Sequence, residues 1–464
     1  MKSRISFFDT ATFKKDITRF MPLWVLYTVF LLLCMIPTVA GGSFYSSPAR
    51  ALNSSLEALT FASFLYAALC AQLLFGELFN SRLCNAIHAM PVTREARFGS
   101  HILAGVLFAW VPNLLVSLLM LPYLDHLWFT SFLWLGAYSL QYLFFFGAAV
   151  FSVMCTGSRF AMVLVYGIVN LLSVVVYWFL NAIYAPLMPG VEINTEWMVV
   201  LCPLVLFMTQ FEYFEIATHY PSNYYPNNYY GNGSAYSTFE GLGESWSYLF
   251  IVAGVGIAAL VAALLMYRKR KLESAGDFIA VKWIAPIFLV LYTLCVGAFL
   301  TVFGSLFGTD AIAVLLIPGL LIGFFTGRML LDRTIRVFKK RNFLLAGILL
   351  AAMLFSLVPV RLDWFGVIHY VPDAEDVAHI EVRSSGISRS KVDDPEDIAL
   401  ACQVHRAALD DLDHEDVMRT CNAQHLYFRV IYHMKDGRRV ERYYTICGYS
   451  AAGSLLGQLV RKIG

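Results

Sequence analysis

Apolar residues come in long unbroken runs between residues 21 and 360, separated by short polar connectors. A helix needs about 20 apolar residues to cross a hydrocarbon core. The pattern predicts nine such helices, over 21–40, 57–77, 101–123, 127–155, 160–184, 246–267, 283–306, 311–327 and 342–360. The polar lead, Met1 to Arg19, is too long for a secretory signal, and the run behind it is long enough to span. After Arg361 the pattern becomes that of a soluble domain. "HIEVRSS" (His379–Ser385) predicts a strand, and "DPEDIALACQVHRAAL" a helix over Asp394–Leu409, with Asp394 as cap and Pro395 at the first position. "HLYFRVIYHM" and "RVERYYTIC" flank Asp436-Gly437, a hairpin signal whose turn asks for positive φ at both central residues. A last helix over "SAAGSLLGQLVRKIG" completes a β-α-β-β-α order. The fold class expected is an all-α polytopic membrane protein with a small C-terminal α+β domain over 361–464.

Charge gives the expected orientation. Lysine and arginine gather in alternate connectors: Lys14, Lys15 and Arg19, then Arg82, Arg94 and Arg97, then Arg159, then Arg268 to Lys282, then Arg328 to Arg341. The opposite connectors hold only Arg50, and no Lys or Arg occurs between Arg159 and Arg268. Cationic loops stay on the cytoplasmic side. The N-terminus is therefore expected inside and the C-terminal domain outside. The apolar piece Trp197–Phe211 is short and holds Pro203, which predicts a break. A crossing there would put "RKRK" at Arg268 outside, so a re-entrant or surface helix in an external loop over 185–245 is expected. The tract "HYPSNYYPNNYYGNGSAY" reads as an interfacial loop with Tyr rings at headgroup depth, with a ligand-binding lid as the alternative.

Composition agrees: 59% of the 464 residues are hydrophobic and 14% charged, against about 25% charged in soluble domains. A net charge of +2 gives no indication of nucleic acid as a partner. The nine cysteines form no C-x-x-C pair. In the tail Cys402 has Cys421 or Cys447 as possible partners; the odd count leaves at least one free thiol, and the expectation is no bridge. His405 and His414 lie near Asp410, Asp411, Asp413, Glu415 and Asp416, which suits a solvated acidic turn better than a metal site. No P-loop, H-E-x-x-H or G-x-S-x-G is present. Glu57 and Glu77 sit at the ends of the second span, and no span carries a central Asp, Glu, Lys or Arg. Carriers that couple to ions usually hold such a group, so no catalytic residue, cofactor or metal is expected and energy must come from another chain. Gln141, Asn113 and Asn170 are expected as interhelical hydrogen-bond glue.

The connector Asn85–Gly105 is unlike its neighbours. "SRLCNAIHAM" suits two helical turns with Leu83, Ile87 and Met90 on one side; Pro91 stops them, and Thr93 caps the next helix. His88-Ala-Met-Pro-Val-Thr-Arg94 and Phe98 through His101-Ile-Leu-Ala-Gly105 resemble the first cytoplasmic loop of ABC-2-like permease subunits of bacterial ABC transporters. "FFDTATFKKDITRFMPLWVLYTVFLLL" is similar to the start of that group, which implies a cytoplasmic interfacial helix over 1–20. "DPEDIALACQVHRAAL" and "MKDGRRVERYY" resemble the external domain of Ytr-type permeases of Firmicutes. Met90 stands where the group usually has Leu, and nine spans exceed its common six.

The resemblance implies that a coupling loop over 78–100 docks into a cytoplasmic ABC ATPase subunit. It assigns Ile87, His88, Met90, Pro91, Arg94, Arg97 and Phe98 to that contact, with Ile87 and Met90 as apolar anchors and the arginines as charge pairs. The alternative is that the loop only anchors helix ends, with its arginines at headgroups. The later basic loops, 267–282 and 328–341, read as topogenic more than as second contacts. The expected function is the permease subunit of an exporter in a bacterial cell membrane, paired with a second permease subunit (homo- or heterodimer) in the lipid bilayer. The competing reading is a membrane sensor or assembly protein whose external domain binds a ligand or partner.

Overall fold

A computed structural model describes residues 8–40, 48–184, 188–191, 198, 200–209, 213–219, 236–243, 246–270, 274–281, 283–305, 309–384, 387–413, 421 and 425–463. Among the described residues, nine helices are long and apolar enough to cross a membrane: Met21–Val39, Arg50–Leu74, Arg94–Tyr123, Phe129–Cys155, Arg159–Trp178, Trp246–Lys269, Ile284–Thr301, Leu315–Asp332 and Lys340–Val360. These are the nine predicted runs. The second and third begin about a turn or two earlier than hydropathy suggests, because the helix continues into its polar flank; Thr93, not His101, opens the third.

The chain divides into two compact units, one of residues 1–174, 196–295 and 324–337, the other of 175–195, 296–323 and 338–464. The first holds α1 (Thr10–Arg19), α2 (Met21–Ala40), α3 (Pro48–Leu74), α4 (Ser81–His88), α5 (Arg94–Met120), α6 (Phe129–Cys155) and most of α7 (Arg159–Tyr184). It also holds α8 (Pro203–Thr209), a two-stranded ribbon of β1 (Phe214–His219) and β2 (Tyr236–Leu242), and α9 (Trp246–Lys269). Asp9 caps α1, accepting from the Thr12 amide at 2.9 Å. α6 and α9 meet backbone to backbone: a Cβ on Gly147 would lie 2.2 Å from the Gly256 carbonyl oxygen. Small residues at a helix–helix seam allow backbones to approach this closely and pack over a large contact.

Buried polar groups stitch this unit. Gln141 donates to Thr60 at 3.3 Å and to the Tyr213 hydroxyl, and Asn113 donates to Ser139 at 3.4 Å. Both amides act as the expected glue. Asn170 does not: its side chain bonds the Tyr166 carbonyl of its own helix at 2.8 Å. The expected break falls at Pro203: Met198 and Val200 are helical, Leu201 and Cys202 are not, and Pro203 opens α8, as suits a residue with no amide to donate. Most of the Tyr-rich tract, 220–235, lies outside the described residues. The ribbon that flanks it was not anticipated; its register shifts between Glu215 and Ile216.

The second unit holds parts of α10 (Ile284–Ser305) and α11 (Thr309–Asp332), all of α12 (Lys340–Arg361) and the C-terminal domain. That domain contains β3 (Val377–Ser384), β4 (Ile387–Val392), α13 (Pro395–Asp413), β5 (His425–Met434), β6 (Arg439–Cys447) and α14 (Ala451–Ile463). The antiparallel sheet runs β4-β3-β5-β6. β4 is an addition to the predicted order; its polar sequence "ISRSKV" hides it, because it is an edge strand. Period-two burial puts Phe428, Val430, Tyr432 and Met434 of β5 on one face, under Ile398, Val404, Leu456 and Leu459 of α13 and α14. The β5–β6 hairpin forms, but with a four-residue loop in which only Gly437 has positive φ, at 86°. The Asp436 carboxylate accepts the Arg438 amide at 2.9 Å and stabilises that loop without a left-handed Asp436.

Cys421 and Cys447 form a disulfide, against the expectation of no bridge, and Cys402 is the buried free thiol. Spacing along the sequence could not select the pair, because Cys447 reaches Cys421 only through the β6 register. The outer edge of β6 is covered by the short segment Met188–Val191: the Tyr443 amide donates to the Gly190 carbonyl at 3.1 Å, and Val191 bridges Arg442. Gly190 is required there, since its φ is +78° and a Cβ would lie 2.1 Å from the Tyr444 ring.

Candidate functional site

The connector between α3 and α5 begins with a 3-10 turn, Gly76–Phe79. Asn80 then caps α4, its Oδ1 accepting from the Arg82 amide at 3.0 Å and the Leu83 amide at 3.4 Å. Leu83 and Met90 are about half exposed, at 51% and 52%, and Ile87 lies half-buried between them. Pro91 is exposed. The Thr93 hydroxyl accepts the Ala96 amide at 3.2 Å and starts α5. The stub of two turns expected from "SRLCNAIHAM" is therefore present, with its apolar side uncovered. The His88 side chain lies outside the described residues.

Three arginines tie the elements around the stub together, each by capping the C-terminal end of a helix. Arg97 is buried and donates to the Ile87 carbonyl at the end of α4, at 2.8 Å. Arg94 donates to the Tyr267, Arg268 and Arg270 carbonyls at the end of α9, at 3.2, 3.2 and 3.0 Å. Arg270 donates to the Val153, Met154 and Thr156 carbonyls at the end of α6, at 2.9, 3.3 and 2.8 Å, and to the Leu78 carbonyl of the 3-10 turn at 3.2 Å. The last carbonyls of a helix lack intrahelical partners and carry partial negative charge. A guanidinium with five donors satisfies several at once.

A buried ionic cluster lies beside the arginines. His101 Nδ1 sits 2.6 Å from Asp16 of α1, and its Nε2 sits 3.3 Å from Glu77 of the 3-10 turn. Burial pushes the Glu77 carboxyl up, but the hydrogen bond and charge of His101 outweigh it, so Glu77 titrates below its ordinary value. Ser100 and Asp9 exchange hydrogen bonds of 2.8 and 3.0 Å, which fixes α1 against α5. Phe98 is buried between Phe75 and Tyr267, at ring distances of 5.7 and 5.9 Å. The loop 274–280 joins the same assembly: Gly276 and Ala280 donate to the Gly157 and Cys155 carbonyls at 2.7 and 2.9 Å. A cleft of about 800 Å³ opens beside Arg270, lined in part by Lys269, Asp277 and Trp283.

No known protein family, curated protein or solved structure matches the chain.

The seven residues assigned to the loop contact thus separate. Ile87, Met90 and Pro91 sit on the accessible side. Arg97 and Phe98 are buried and Arg94 is half-buried, and the two arginines donate to carbonyls at this chain's own helix ends. The Asp16–His101–Glu77 cluster escaped the sequence reading because hydropathy began the third span at His101. The signal was available: Arg94, Arg97 and His101 recur at intervals of three and four and share one helix face.

In the C-terminal domain, His405 is fully buried, with Nδ1 3.1 Å from the Tyr432 hydroxyl and Nε2 2.8 Å from the Tyr444 hydroxyl. Burial first, then the charges of Arg442 and Arg406, push its pKa down to about 3. It is a neutral core residue, and no group of three potential metal ligands occurs among the described residues. His414, Glu415 and Asp416 lie outside those residues.

Proposed function

We propose that the chain is the membrane-spanning permease subunit of an ABC transporter, an exporter, engaged by a separate cytoplasmic ATPase on the open side of α4. The observation that carries the reading is an apolar stub that is uncovered on one side and clamped on the other. Leu83, Ile87 and Met90 offer an apolar contact. Arg97 ties the end of the stub to α5, Arg94 ties α5 to the end of α9, and Arg270 ties that end to α6 and to the 3-10 turn before the stub. A push on the stub then moves those helices as one body, the kind of rigid shift that interfaces transmit. The sequence has no P-loop, so the motor is another chain. A second permease subunit completes the path for substrate, as in the group the loop resembles.

Two features support the expected orientation. The bonds between Met188–Val191 and β6 favour a connector after the fifth apolar helix that lies on the same side as the C-terminal domain. Four intervening crossings give that result, and a fifth at Trp197–Phe211 would not. A disulfide in the domain suits the oxidising side of a cell membrane.

Affinity purification from the native membrane tests the reading. A partner carrying a Walker A sequence is expected with the native chain and lost with Met90→Glu. Recovery of the chain alone, or with a kinase, supports the sensor instead.

A further inference from the structure

β6 places Val440, Arg442, Tyr444 and Ile446 on the face that packs under the helices. Arg442 is the charged exception in that row. It is 5% exposed, and two of its nitrogens donate to the Glu441 and Val367 carbonyls, each at 2.9 Å. Its Nε is buried with no hydrogen-bond partner. Among the described residues it makes no ion pair; Glu441, the adjacent carboxylate, is engaged by Arg429 and by Arg439 at 3.2 Å. A buried cation is tolerated when an anion and hydrogen bonds compensate it.

Arg442 lines a cavity of about 380 Å³, together with Arg438, Arg439, Tyr370 and Phe365. Arg438 pairs with Asp436 at 2.6 Å. The cavity wall therefore carries three cations and one carboxylate, Glu441. Its other wall, Phe365–Val367 and Tyr370, lies just past α12, where Phe365 and the neighbouring Leu362 and Trp364 are 77%, 61% and 62% exposed. Exposed aromatic rings just past a spanning helix sit at headgroup depth. Guanidinium groups bind phosphate oxygens in a bidentate fashion.

We propose that this cleft holds the phosphate group of an anionic phospholipid, with Arg442 as the buried anchor, Arg438 and Arg439 at the entrance, and Leu362, Trp364 and Phe365 against the acyl chains. The proposal rests on the reading that α12 crosses a membrane; binding in detergent does not depend on orientation, and labelling of a cysteine at position 437 from outside intact cells tests the orientation separately.

The test uses the full chain in neutral detergent and short-chain phosphatidylglycerol as probe, with inorganic phosphate as competitor. The native chain binds the lipid, and Arg442→Gln weakens binding about tenfold or more. Arg442→Lys, which keeps the charge and loses the fork, falls between. Phosphate at the same concentration displaces little lipid, because it lacks the apolar contact. Thiol labelling of buried Cys402 reports whether each variant is folded. Should Arg442→Gln unfold the domain, Arg438→Gln with Arg439→Gln carries the test, since both side chains are exposed; a loss of about fivefold is expected. Unchanged binding in a folded variant overturns the proposal. Equal displacement by inorganic phosphate overturns it too, by making the cleft a site for the free ion.

Discussion

Arg270, half-buried, and Arg442, buried, are both guanidinium groups without an ion pair to a carboxylate among the described residues, and they differ in how their donors are used. Arg270 gives four hydrogen bonds to helix-end and turn carbonyls. Arg442 gives two and leaves Nε with none. The first is an internal strut: the partial charges of helix ends replace a counter-ion. The second is a cation whose surroundings are incomplete. The difference shows that burial of a charge does not by itself mark a binding site; for Arg442 the unfilled Nε coincides with a cleft carrying two further guanidinium groups.

The largest expected effect follows from removing each in turn. Arg270→Met removes four hydrogen bonds to carbonyls and costs on the order of 3 kcal/mol or more. Arg442→Met deletes a charge that is poorly compensated, and costs under about 1 kcal/mol or stabilises. Denaturant-dependent labelling of buried Cys155 and Cys402 measures the two regions separately. Equal losses would remove the distinction between the two arginines. The disulfide comes next: Cys447→Ser is expected to cost about 2–4 kcal/mol at the Cys402 probe and to leave the Cys155 probe unmoved.

Acid separates the regions further. His405 has a folded pKa of about 3, below its unfolded value of about 6.5. Its stabilising contribution is complete above the unfolded value and falls as pH drops from there towards 3, by about 1.4 kcal/mol per unit. His405→Gln is expected to flatten the pH slope at the Cys402 probe. Glu77 also has a lowered folded pKa. Its contribution is present above the ordinary carboxylate value and is lost only as pH falls through the folded one, so Glu77→Gln gives the smallest change, confined to acid near and below about 4.5. The C-terminal domain should therefore loosen at a higher pH than the bundle; the opposite order would contradict both assignments.

Much of this fold was legible because long apolar runs leave a helix no alternative in lipid. The nine helices, the Thr93 cap, the Pro395 start and the β5–β6 hairpin all carry local signals. What stayed hidden depends on pairing across the chain. The Cys421–Cys447 bridge follows from register, and β4 has a polar edge sequence. The candidate site divides in the same way. Leu83, Ile87 and Met90 could be placed on one face from their spacing, whereas the inward turn of Arg94 and Arg97 depends on carbonyls more than 170 residues away for Arg94 and ten away for Arg97. Basic residues near a span read as topogenic or as partner contacts; only the structure gives the helix ends that they cap.

The central claim is that the uncovered side of α4 receives the motor. The most direct measurement is quantitative mass spectrometry of partners recovered with the native chain, with Leu83→Glu and Met90→Glu together, and with Arg439→Gln as a remote control. A Walker A protein should accompany the native chain and the control and be depleted at least about tenfold with the double variant, while the variant still enters the membrane. Undiminished recovery with the double variant, or a native chain that brings no nucleotide-binding partner, contradicts the account.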